Sequence, residues 1–222
     1  MLNSGGANAC TGPEGFADTH ATAEHVAAEL GIGAIDVAVA STGLIGVRLP
    51  MDRLLAGVTD AVAKLSGDGG MAAAQAIMTT DTVPKTTVQR GSSTGGAWTV
   101  GGIAKGAGML APSLATMLVV LTTDAVVPAD VLQRALEAAT SVSVERVDSD
   151  GCLSTNDTVI AMANGASGVT PSEDELTAAL TAAATDLAMQ LLADAEGSTK
   201  DIAITVRSAA TCLLYTSPSP RD

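Results

Sequence analysis

The clearest hydrophobic signal is the unbroken run Met117-Leu118-Val119-Val120-Leu121, short and β-branched, which reads as a fully buried strand. Elsewhere the apolar residues follow helical spacing. Leu54, Leu55, Val58, Val62 and Leu65 predict core positions on a helix opened by Leu49-Pro50-Met51-Asp52. Leu176, Leu180, Leu187 and Leu191 predict a helix reaching about Ala195. Its start, Pro171-Ser172-Glu173-Asp174-Glu175, puts acidic residues where the helix dipole favours them. Asp18 is expected to cap a helix ending at Leu30, with Gly31 as the stop. A short helix over Gly70–Met78 leads into the polar turn Thr79–Lys85 and a strand, and Pro128-Ala129-Asp130 starts a helix reaching about Val144. Ile35–Ala40 and Ile202–Val206 read as further strands. Helices and strands alternate irregularly, with no regular βαβ repeat.

Candidate chemistry gathers in Trp98–Asp124. Gly101, Gly102, Gly106 and Gly108 surround Lys105, which reads as a cation on a glycine-rich loop. Thr116 then sits at the mouth of the core strand, eleven residues on. It reads as a core residue, a turn residue or a nucleophile. His20 and His25 lie far upstream, so no serine-protease arrangement is suggested; five apart, they read as solvated helix residues. A threonine can instead use its own α-amine as base once it becomes N-terminal, which here requires cutting Ala115–Thr116. An α-amine titrates at about 7.7–8.0, so a useful fraction is unprotonated near neutrality. Ser41-Thr42-Gly43 at a strand end reads as a turn, or as a hydroxyl and N–H converging on an oxyanion. Glu196 follows a helix C-terminus, where the dipole disfavours it, and reads as a solvated charge or a residue with a job. Lys85 reads as a surface charge.

The chain has 222 residues, enough for one domain or two. Its net charge of −13 argues against nucleic-acid binding, which needs clustered cations, and three aromatics (Phe16, Trp98, Tyr215) make no base-stacking platform. Cys10, Cys152 and Cys212 have neither zinc-ligand spacing nor a disulfide pattern. Apolar runs fall short of the roughly 18 residues of a membrane span, and no signal peptide is recognisable, so a cytosolic or organelle-matrix setting is expected. The oxygen-rich segment Asp148–Thr158 lacks the terminal glutamate of a calcium loop, and no metal is assigned. Nucleotide-binding glycine motifs are missing.

Lys105-Gly106-Ala107-Gly108-Met109-Leu110-Ala111-Pro112, followed by Leu114-Ala115-Thr116-Met117-Leu118, resembles the glutamate N-acetyltransferase family, also called ornithine acetyltransferases or bifunctional arginine-biosynthesis proteins. The resemblance implies a mixed α/β fold, a four-layer α-β-β-α sandwich, and self-cleavage at Ala115–Thr116. Residues 1–115 would then belong to the α chain and 116–211 to the β chain. It implies acetyl transfer from N-acetylornithine to glutamate through acetyl-Thr116, with Thr42 and Gly43 as the oxyanion hole. Thr82, Lys105, Thr116 and Glu196 would contact substrate. No cofactor is implied, although some members use acetyl-CoA as co-substrate. A heterotetramer of two α and two β chains is expected, cytoplasmic or, in a eukaryote, in the mitochondrial or plastid matrix, without nucleic-acid or membrane partners. The resemblance covers about Asn3 to Thr211, the middle of a longer protein. Residues 212–222 shift to Ser and Pro and read as a non-native tail. A self-cleaving aminopeptidase of related fold and an inactive fragment remain the alternatives.

Overall fold

The computed structural model describes residues 1–108, 117–152 and 154–205. They form a mixed α/β fold in which the chain divides into two compact units, Met1–Thr79 and Thr80–Asp222.

In the first unit, β1 (Leu2–Asn3) pairs in parallel with β2 (Ala40–Ser41), and α1 (Gly12–Leu30) packs on α2 (Met51–Ala63). A shorter α3 (Gly70–Ala76) follows. Helix α1 begins at Gly12, not at Asp18, because Pro13 has no N–H to leave unsatisfied in a first turn. It ends as expected, with Gly31 left-handed. Asp18 lies inside the helix, buried, accepting Arg48 Nε at 2.9 Å and Nη2 at 2.7 Å. The Arg48 hydrogen bond outweighs the burial cost and holds the Asp18 carboxyl below its usual range. The strand expected over Ile35–Ala40 shrinks to β2; Ala34–Asp36 makes a 3-10 turn and Ile35 is 95% exposed. Of the apolar residues assigned to the core of α2, Val58 alone is fully buried, and Leu65 is exposed beyond the helix end. His20 meets the Phe16 ring edge-on, and His25 is half-buried within 2.9 Å of Thr59 Oγ1.

The second unit holds a sheet of order β3-β4-β5-β6, comprising β3 (Lys85–Ser93), β4 (Gly96–Lys105), β5 (Leu118–Thr123) and β6 (Thr158–Ala163). The first two pairings are antiparallel and β5–β6 is parallel. A parallel pair requires a crossover, and α4 (Ala129–Ser141) lies within it. The expected buried strand is β5. Val119 and Leu121 enter the main core, while Leu118 and Val120 are buried outside that cluster.

Helix α5 (Glu173–Ala193) packs across β3 and β4 and against α4. The predicted Leu176, Leu180, Leu187 and Leu191 are all buried against Trp98, Val100, Val119 and Leu121. Each such leucine contributes about 1.5–3 kcal/mol. Ser172 caps the helix: its hydroxyl accepts the Glu175 N–H and the Glu175 carboxylate accepts the Ser172 N–H. By length and composition α5 is apolar enough to cross a membrane, but its leucine face is spent on this core.

The glycine-rich stretch before Lys105 is not a loop. It is β4, and its glycines admit neighbours. A Cβ on Gly102 would come within 2.7 Å of Leu121 Cδ2 and 3.1 Å of Leu187 Cδ1, so the bare backbone lets α5 lie close to the sheet. The strand expected at Ile202–Val206 does not form within residues 201–205, where Ile202 and Ile204 are exposed; Val206 lies outside the described residues.

Candidate functional site

Lys105 ends β4, and its side chain is only 2% exposed. Across the ladder, Lys85 begins β3 with a side chain that is fully buried, not the surface charge the sequence suggested. An unpaired buried ammonium would be costly, and each lysine has a carboxylate beside it. Lys85 Nζ donates to Asp81 Oδ1 at 2.8 Å and to Asp194 Oδ2 at 2.6 Å, with Val83 O at 3.4 Å. Asp81 Oδ1 also accepts the Gly106 N–H at 2.6 Å, which fixes the backbone just after Lys105. Asp81 Oδ2 lies 3.5 Å from Lys105 Nζ. Burial lowers the Lys105 pKa, Asp81 opposes that shift and the Lys85 charge adds to it.

Asp194, just past the end of α5, joins this group to Thr82. It accepts the Thr82 N–H at 2.9 Å through Oδ2 and the Thr82 hydroxyl through Oδ1. Burial pushes the Asp194 carboxyl up, but hydrogen bonds from Lys85 and Thr82 prevail and hold it below its ordinary value. Thr82 itself is exposed. Thus Thr82 and Lys105, two residues singled out from the sequence, are tied together through Asp194, Lys85 and Asp81. Neither aspartate was anticipated. The signal available was Thr79–Lys85 itself, where two charges four residues apart flank a turn.

Glu196 follows the end of α5. Its N–H donates to Ala107 O at 2.6 Å, and a Cβ on Gly108 would lie 3.3 Å from its Oε2. Gly106–Gly108, which leads toward residue 116, is therefore held on one side by Asp81 and on the other by the Glu196 backbone. The Glu196 side chain is exposed.

A second unanticipated group is Asp157, one residue before β6. Its Oδ1 accepts the Met117 N–H at 2.9 Å, and its Oδ2 is buried with no hydrogen-bond partner among the described residues. Burial raises its pKa to about 7 against the pull of the Met117 N–H, the Ser154 hydroxyl and the Lys105 charge. Met117 is the residue before β5, so this carboxyl holds the backbone N–H at the entry to that strand. Ala115 and Thr116 themselves lie outside the described residues, as does residue 212 with the tail after it.

In the first unit, Thr42 is fully buried and its N–H donates to Asn3 O at 3.1 Å. Gly43 has φ +126, and a Cβ there would fall 2.5 Å from the carbonyl carbon of Gly5. Only glycine fits at position 43, against the Gly5 backbone. Among the described residues no group of three His, Cys, Asp or Glu side chains is placed to hold a metal ion.

The family model described as ArgJ family matches residues 1–213. The chain is 64% identical over 211 residues to the arginine biosynthesis bifunctional protein ArgJ of Streptomyces avermitilis, covering 95% of this chain and 54% of that protein. It is 61% identical over 210 residues to the protein of that name from Thermobifida fusca, with 95% and 54% covered. The chain thus spans about half the length of the curated relatives it matches. Among solved structures, the ornithine acetyltransferase of Mycobacterium tuberculosis complexed with ornithine is similar at 66% identity, TM-score 0.47, over 50% of this chain and 60% of that one. The arginine biosynthesis bifunctional protein of Bacillus halodurans is similar at 42% identity, TM-score 0.47, over 50% and 59%.

Proposed function

The chain belongs to the ArgJ family, and we propose that it supplies the catalytic middle of an enzyme moving an acetyl group from N-acetylornithine to glutamate. The observation that carries this reading is the buried Lys105 at the end of β4. It opens the Lys105–Pro112 motif in the sequence and is bound into one polar network with Thr82. A desolvated lysine facing an amino-acid substrate suits a carboxylate, since the charge-assisted hydrogen bond gains strength away from water.

The chemistry begins with cleavage at Ala115–Thr116, which frees the Thr116 α-amine. The Thr116 hydroxyl then attacks the acetyl carbonyl of N-acetylornithine, and the α-amine takes its proton. The Thr42 hydroxyl and the Gly43 N–H bear the charge on the tetrahedral oxygen. Collapse, with the α-ammonium returning the proton to the leaving nitrogen, expels ornithine as an amine and leaves acetyl-Thr116. The amine of glutamate attacks that ester, giving N-acetylglutamate and restoring the hydroxyl. Lys105, Thr82 and Glu196 bind the substrates, and acetyl-CoA serves some members as an alternative donor. The four-layer α-β-β-α sandwich, the assembly of two α and two β chains, and a cytoplasmic or organelle-matrix setting belong to the same proposal.

The test uses a protein carrying this chain at the full length of its relatives. Intact-mass spectrometry should find two chains parting at Ala115–Thr116, and Thr116→Ala should stay whole. Ornithine release from N-acetylornithine should require glutamate and vanish in Thr116→Ala. A cut elsewhere, or turnover by the alanine variant, overturns the assignment.

A further inference from the structure

Lys85 has three ammonium hydrogens and three oxygens around it: Asp81 Oδ1 at 2.8 Å, Asp194 Oδ2 at 2.6 Å and Val83 O at 3.4 Å. Its donors are spent internally, and with its side chain fully buried it meets no external ligand. Its effect is on its neighbours. Asp81 shares its charge between Lys85 and the Gly106 N–H, and stands 3.5 Å from Lys105, longer than an ordinary hydrogen bond.

At the other end of the network, Thr82 is constrained in a chemically specific way. A threonine hydroxyl has one hydrogen and two lone pairs. The Thr82 hydrogen goes to Asp194, an acceptor held in its charged form by Lys85. Thr82 is exposed, so what its oxygen presents to solvent is lone pairs. We propose that Asp194 is a positioning residue that fixes the Thr82 hydroxyl as a hydrogen-bond acceptor for the substrate's N–H group, while Lys105 takes the carboxylate as in the proposed function. The arrangement selects ligands with an amine or amide N–H as well as a carboxylate, and discriminates against dicarboxylates without nitrogen. The inference rests on the reading that Thr82 and Lys105 meet substrate.

Glutamate and glutarate, which lacks the amine, separate the possibilities in the full-length protein. Thr82→Val keeps the side-chain shape and removes the acceptor, so it should weaken glutamate binding about tenfold or more, as loss of a charge-assisted hydrogen bond does. It should leave glutarate inhibition unchanged, and Thr82→Ser should restore glutamate. Asp194→Asn should raise the glutamate KM with little change in kcat, and Asp194→Asn with Thr82→Val should be no worse than the weaker-binding single variant, because both remove one interaction. Equal weakening of glutamate and glutarate by Thr82→Val overturns the acceptor role, as does a double variant whose factors multiply. If neither ligand responds to Thr82→Val, it is the underlying placement of Thr82 in the substrate site that fails. Should Asp194→Asn not fold, the two ligands tested against Thr82→Val and Thr82→Ser still decide the matter.

Discussion

At its N-terminal end α5 meets the β3–β4 hairpin through an apolar closure whose carboxylate, Glu175, is exposed; at its C-terminal end it meets the same strands through buried charge. At the first end, Trp98 lies over Gly91, where a Cβ would fall 2.2 Å from the ring, and its Nε1 donates to Ser93 Oγ at 3.0 Å. Ser93 in turn donates to Glu175, the residue that completes the helix cap. The buried Trp98 N–H is thereby satisfied, and the stability comes from aromatic burial. At the second end, Asp194, Lys85, Asp81 and Lys105 fill a comparable space with four ionisable groups. Charges in such a place return little net stability, because desolvation offsets their attraction. A fold needing only stability could repeat the Trp98 solution at both ends. The charged end is the one to which the proposed function assigns the substrate.

The largest expected effects come from breaking each end in turn. Trp98→Ala should cost about 3–5 kcal/mol in urea denaturation, with little dependence on pH. Lys85→Met should cost a similar ~3–5 kcal/mol at neutral pH, because it leaves buried carboxylates without their counter-ion. Its pH response should differ. Asp194 has a depressed folded pKa, so its contribution is present above the ordinary carboxylate pKa and is lost as pH falls through the folded value. The gap between Lys85→Met and the parent should therefore narrow in acid, whereas the Trp98→Ala gap should not. Equal pH profiles for the two variants would remove the distinction between the ends.

Asp157 gives a smaller effect of the opposite sign. Its folded pKa is raised to about 7, so it favours folding below the unfolded pKa and that contribution is lost as pH rises through about 7. Asp157→Asn should be more stable than the parent at pH 8, on the order of 1 kcal/mol after allowing for solvent screening, with the difference fading toward pH 5. Thermal melts at the two pH values check this, and a gain that is the same at both would put the raised pKa in error. Smallest is Ser172→Ala at the apolar end, about 1 kcal/mol for a lost cap. A loss confined to stability, with substrate constants unmoved, would keep function at the charged end.

The sequence made the apolar scaffold legible where one physical rule dominates. Four leucines at helical spacing after an acidic first turn predict an amphipathic helix, and α5 formed as expected. The run after residue 116 could be buried on both faces only as an inner strand. Loose alternation misled at Ile35–Ala40, where a 3-10 turn leaves Ile35 in solvent, and residues 202–205 form no strand. Strand β6 begins at Thr158, the last residue of the polar segment Asp148–Thr158, and its short run Val159–Ala163 carries no strong signal of its own; pairing with β5 makes it a strand.

What the sequence by itself determined was the motif around Lys105 and Thr116, the apolar pattern of the core, and the acidic, aromatic-poor composition that excludes nucleic-acid readout. Only the tertiary structure decided which charges are buried. Lys85 and Lys105 lie twenty residues apart in the chain, and nothing local to Lys85 distinguishes it from a surface lysine. Antiparallel pairing of β3 with β4 brings both to one end of the sheet, and the length of α5 delivers Asp194 to the same end. Burial and counter-ion are both consequences of that meeting. Pairing between distant segments creates the low-dielectric site in which these charges act, and a pattern read along one chain does not contain it.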